Sequence, residues 1–127
     1  MPSGPRFDLS IELSGVGRSA EALVAAEEAV LRYRRLADTN PATYGPDLAQ
    51  ALLAITQIRV TSRSGFPEAL AAIRESVAIY RLLAAKTPAA FADDFKRSLA
   101  TAVDVLDGLG EPEQATSLSL LVEALPQ

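Results

Sequence analysis

An internal duplication constrains this chain more than any other feature: residues 21–52 return as residues 68–99, 47 positions later and without a gap. Glu21-Ala22-Leu23 recurs as Glu68-Ala69-Leu70, Tyr33-Arg34 as Tyr80-Arg81, Leu36-Ala37 as Leu83-Ala84, and Pro41-Ala42 as Pro88-Ala89. Asp47 and Leu52 likewise match Asp94 and Leu99, and in all 14 of 32 aligned positions are identical. A fixed period of roughly 20 to 50 residues marks a stacked-repeat architecture, in which each unit buries its apolar side against its neighbours. The expected fold is therefore all-α, with antiparallel helix pairs stacked as a short solenoid.

The apolar spacing inside each copy supports helices. Leu23, Ala26, Val30, Tyr33 and Ala37 recur at steps of three and four, joined by Ala22, Ala29 and Leu36, which is a broad helical stripe. Glu27, Glu28, Arg32, Arg34 and Arg35 occupy the opposite face, with Glu28 and Arg32 spaced as an i,i+4 ion pair. Ser19 is the expected N-cap of the first long helix, and Asn40, ahead of Pro41, its expected end. The next helix is expected from about Pro46, where a proline in the first turn forfeits no hydrogen bond, to about Ser62, with Ser64-Gly65 as the turn.

The second copy follows the same plan. Pro67 and Glu68 open its first helix, Leu70, Ile73, Val77, Tyr80 and Ala84 form the stripe, and Thr87-Pro88 separates it from a partner helix. That partner presents Phe91, Phe95, Leu99, Ala102, Val103 and Leu106 inward and ends at Gly108-Leu109-Gly110. Pro112-Glu113-Gln114-Ala115 then opens a half-repeat carrying Leu118, Leu121, Val122 and Leu125. The expected organisation is a lead-in over residues 1–17, repeats over about 18–64 and 65–110, and the half-repeat over 111–127. Within the lead-in, Phe7, Leu9, Ile11 and Leu13 alternate as in a strand. A short helix is the better reading, because an isolated strand has nothing to pair with, and Gly15-Val16-Gly17 is expected to break the chain after it.

Composition narrows the function. The chain has 127 residues, which suits one domain, and it contains no cysteine, histidine or tryptophan. Thiolate nucleophiles, sulfur-ligated metals and the commonest neutral-pH acid/base are thus missing. Neither a catalytic residue, a metal nor a cofactor is expected. The net charge of −4 gives no support to nucleic-acid or anionic-membrane binding, and the one basic cluster, Arg32, Arg34 and Arg35, lies among Glu27, Glu28 and Asp38. No apolar run approaches the roughly 20 residues that span a bilayer, and residues 1–6 lack the apolar core of a signal peptide, so the expected location is cytoplasmic.

Helix pairs with Ala-Leu near the start of the first helix, a tyrosine in its second half and a proline at the turn resemble tetratricopeptide repeats. Over residues 33–49, YRRLADTNPATYGPDLA, the chain looks like the longer variant found in tandem in actinobacterial and fungal proteins. The period of 47 exceeds the roughly 34 of the standard repeat, and the tryptophan and Leu-Gly of its first helix are absent. The resemblance implies a right-handed solenoid that binds a peptide or protein partner in the groove lined by the first helix of each pair. It also implies that the groove residues are polar ones off the core stripe: Glu27, Arg34, Arg35, Arg74 and Arg81.

Each candidate has a plainer counterpart. Arginines at matching places in successive repeats suit a paired grip on a carboxylate, but a charged helix face also stands solvated without any partner. Tyr33 and Tyr80 lie on the stripe and read as core. Asp47 and Asp94 sit near helix starts, where the dipole favours a carboxylate, and Asp93 beside Asp94 points elsewhere on the helix. The alternative to a peptide-binding module is a self-associating one, a homodimer paired through Leu118, Leu121, Val122 and Leu125.

Overall fold

A computed structural model of the protein describes the backbone of residues 5–125 and the side chains of residues 18–125. Five helices occupy this span: α1 (Pro5–Thr39), α2 (Pro41–Ser62), α3 (Phe66–Lys86), α4 (Pro88–Gly108) and α5 (Pro112–Ala124). Each packs on the next in sequence, α2 also meets α4, and no strand occurs among the described residues.

Proline and left-handed residues punctuate the helices. Each of α2 to α5 carries a proline at its first or second position, where the absent N–H would have had no intrahelical partner. At the end of α2 the Ser64 N–H donates to the Arg59 carbonyl and the Arg63 N–H to the Val60 carbonyl, with Arg63 at φ 53°. The end of α4 repeats this pattern, with the Glu111 N–H on Leu106, the Gly110 N–H on Asp107, and Gly110 at φ 74°. Both are Schellman closures that satisfy carbonyls a helix end would otherwise leave free. They fall 47 positions apart, so the duplication preserves the stop geometry but puts arginine in one copy and glycine in the other.

Two helix starts differ from the sequence expectation. α1 runs unbroken through Gly15-Val16-Gly17 from Pro5 instead of starting at Ser19; each glycine costs a helix about 1 kcal/mol but does not block it as proline would. α2 begins at Pro41, not Pro46, because Asn40 caps it there, its Oδ1 accepting from the Thr43 N–H at 3.3 Å. Pro46 is consequently inside the helix and cannot donate to the Ala42 carbonyl. Gly45 precedes it, so no Cβ meets the proline ring from the residue that proline normally drives out of helical geometry.

Two apolar clusters hold the helices together. Val30, Leu48, Ala51, Leu52 and Ile55 form one, flanked by Leu23, Ala26, Tyr33 and Ala37 of α1 and by Ala72 and Ile79 of α3. Ala49, Leu53, Ala69, Ile73, Tyr80, Ala102 and Val105 form the other, flanked by Phe66, Phe91, Phe95, Leu109 and Leu118. Alanines in both let backbones approach closely. The approach of α2 to α3 is pinned by the buried Ser76 hydroxyl, which donates to the Ala49 carbonyl at 2.8 Å. Phe66 packs against the end of α4 so tightly that a Cβ on Gly108 would lie 2.4 Å from its ring. Gly108 therefore permits a close approach, while Gly110 supplies the left-handed turn.

Candidate functional site

Three helices share one register. The buried Ala69 of α3 stands 47 positions after Ala22 of α1 and 46 before the buried Ala115 of α5. The N-caps Gly65 and Glu111 keep the same 46-residue step. On this register Glu27, Arg74 and Leu120 are equivalent, as are Glu28, Glu75 and Leu121; Arg34 matches Arg81, and Arg35 matches Leu82.

The large apolar side chains that are more than half exposed among the described residues are Val24, Leu31, Leu82, Leu120 and Leu121. Every one belongs to α1, α3 or α5. The even-numbered helices contribute none. Val24 and Leu31 lie seven residues apart, on one face of α1, at the positions held in α3 by the exposed Ala71 and Ala78. The five polar residues expected in the groove, Glu27, Arg34, Arg35, Arg74 and Arg81, are all exposed on these same helices.

The structure separates those five by electrostatic state. Arg34 makes a two-pronged ion pair with Glu75, Nη1 to Oε2 at 2.6 Å and Nη2 to Oε1 at 3.0 Å. This joins α1 to α3, and the hydrogen bond to Glu75 raises the Arg34 pKa above its ordinary value. The other ion pair among the described residues is Arg97 with Asp94, at 3.7 Å. Arg35, Arg74 and Arg81 form no ion pair among the described residues, and the expected Glu28–Arg32 pair does not form. The register gives the reason for Arg81. Its acidic partner would stand at position 121, where the chain has leucine.

The first and last helices carry different chemistry. In α3 the stripe Phe66, Leu70, Ile73 and Val77 begins with Phe66 against Gly108 of α4 and flanks or enters the core. Its equivalents in α5 are Pro112, Thr116, Ser119 and Glu123, a polar edge. At the other end, Arg32 of α1 is exposed at the position equivalent to Ile79, which packs toward α2 from α3. The four residues considered for self-association are also split: Leu118 packs on the core, Val122 is half-buried, and Leu125 lines a cleft with Ala84, Pro88 and Phe95. Leu121 alone is open to solvent.

Tyr80 is core, 3% exposed, as its place on the stripe predicts. Tyr33 is half-buried at the margin of the first cluster, because no helix among the described residues packs on α1 from the side away from α2. Of the apolar members of the odd-helix face the sequence named only Leu121, as a self-association residue; Val24, Leu31, Leu82 and Leu120 were missed. Their signal was present as Val24 and Leu31, two apolar residues at helical spacing off the core stripe. Among the described residues no three carboxylates gather as a metal site, and no helix is long and apolar enough to cross a membrane. No protein-family model, curated protein or solved structure matches the chain.

Proposed function

We propose that the protein is a non-enzymatic interaction module, a short right-handed tetratricopeptide-like solenoid that binds a peptide or protein segment along the face formed by α1, α3 and α5. The observation that carries this reading is the confinement of the exposed large apolar side chains to the odd-numbered helices, beside the unpaired arginines of α3. Contiguous exposed apolar surface rimmed by polar groups is characteristic of interaction sites. The duplication adds to it, since the repeat-related helices α1 and α3 are bridged on this face by the Arg34–Glu75 ion pair.

Affinity capture tests the face. Wild-type protein and a Leu120→Ser/Leu121→Ser variant are immobilised and exposed to lysate of the source cell. Partners retained by the wild type should be lost from the variant, while both melt at similar temperatures by circular dichroism. Equal retention on both would overturn the proposal.

A further inference from the structure

We infer that the occupant of the odd-helix face is an acidic amphipathic helix of another protein, whose carboxylates pair with Arg74 and Arg81 and whose apolar stripe covers Ala78, Leu82, Leu120 and Leu121. This rests on the proposed binding face and adds the chemistry of the partner.

The argument starts from the one place where the chain shows how it satisfies an arginine on this face. Arg34 of α1 receives a carboxylate from Glu75 of the next odd helix, both oxygens engaged. Arg81 is the same residue one repeat on, and the residue equivalent to Glu75 is the exposed Leu121. The arginine is present in both helices, while the position of its acid holds an exposed leucine in α5. A partner that brings a carboxylate to Arg81 and an apolar side chain to Leu121 completes the arrangement already built between α1 and α3. A guanidinium gains most from a planar two-oxygen acceptor.

The spacing along α3 selects the form of the partner. Arg74 and Arg81 are seven residues apart, about 10.5 Å along the axis at 1.5 Å per residue. Acids at i and i+7 of a second helix have the same spacing and the same face. Between the two arginines lies Ala78, exposed and too small to hold a partner helix away. Charge runs the same way across the face: α1 offers Glu27, Glu28 and Arg35 beside the neutralised Arg34–Glu75 pair, so that acids outnumber its free cation, α3 offers the two unpaired cations Arg74 and Arg81, and α5 offers Leu120 and Leu121. An acidic partner is thereby directed to the middle of the array in a chain whose net charge is −4. A second copy of the chain would bring the polar edges at its ends.

Fluorescence anisotropy with three labelled helical peptides of about 20 residues, long enough to populate helix, tests the inference. All share one leucine stripe; the residues at i and i+7 beside it are glutamate, glutamine or lysine. The glutamate peptide should bind wild-type protein about tenfold more tightly than the glutamine peptide, a typical gain from a charged hydrogen-bonded pair, with the lysine peptide weakest. The preference should reverse toward lysine on Arg74→Glu/Arg81→Glu and shrink in high salt. Arg81→Gln should weaken the glutamate peptide more than Arg34→Gln does, because Arg34 already has its acid.

Equal binding of the three peptides, lost in Leu120→Ser/Leu121→Ser, would overturn the acidic partner and leave the binding face standing. Binding of none, or binding that survives the leucine changes, would overturn both.

Discussion

Arg34 and Glu75 face each other across two helices, both nitrogens of the guanidinium fork on both carboxylate oxygens at 2.6 and 3.0 Å, 41 residues apart in the chain. The pair lies at the surface, with the two side chains 44% and 35% exposed. Solvent screening limits its worth: a double-mutant cycle of Arg34→Ala and Glu75→Ala, read by urea unfolding, should give a coupling of no more than about 1 kcal/mol. The coupling should fall further at high ionic strength. A value above about 2 kcal/mol would mean that the pair governs how the two repeats dock.

The repeat-equivalent tyrosines should separate in energy because they separate in burial. Tyr80 is 3% exposed within the larger cluster, so Tyr80→Ala should cost about 3 to 5 kcal/mol, as other large buried aromatics do. Tyr33, half-buried on a helix packed from one side, should cost about half as much when truncated. Equal losses in denaturant melts would show that burial does not set the difference.

Tyr80 also sets a pH dependence. Burial, aided by the negative charge of Asp94, pushes its pKa up to about 12 from the ordinary 10. The folded state therefore holds the phenolic proton where the unfolded chain releases it. The stabilisation is complete below pH 10 and is lost as the pH rises from 10 to 12, by up to about 2 to 3 kcal/mol at 1.4 kcal/mol per unit. Tyr80→Phe has no such proton to lose, so its stability should fall less than that of wild type between pH 9 and 11. Parallel curves for the two proteins would refute the assignment.

Arg63 and Gly110 occupy the same left-handed position at the ends of α2 and α4. An L-residue with a Cβ is strained there by about 1 to 2 kcal/mol, and glycine is not, at some cost in unfolded-chain entropy. Arg63→Gly should raise stability by about 1 kcal/mol, and Gly110→Arg should lower it by a similar amount. Thermal melts that shift the same way for both substitutions would contradict this.

The all-helical class, its apolar stripes and most of its helix ends were legible without coordinates. The duplication and the three-and-four spacing identify four of the five helices within a few residues, and Tyr80, Ile73 and Leu99 lie in the core where the stripe puts them. Such signals are local. A stop such as Ser64-Gly65 or Leu109-Gly110 acts through the dihedral angles of a residue or two, and a stripe through the pitch of its own helix. Where two local signals compete, as Asn40-Pro41 does with Pro46, the sequence expectation took the wrong one, Pro46, and α2 starts at Pro41. The stronger cap at Asn40 decides.

The odd-helix face was only half legible. Sequence reasoning found its arginines and gave the repeat-equivalent Arg34 and Arg81 one shared role, since repeat position is all that a duplication records. Which arginine is free depends on what the neighbouring unit presents opposite it: Glu75 for Arg34, Leu121 at the matching position for Arg81. The helical character and the inward stripes were thus determined by the sequence alone, because neighbours along one helix dictate them. Which exposed groups remain available to a partner was decided by the tertiary structure, because that depends on pairings between residues dozens of positions apart, formed only once the units have stacked.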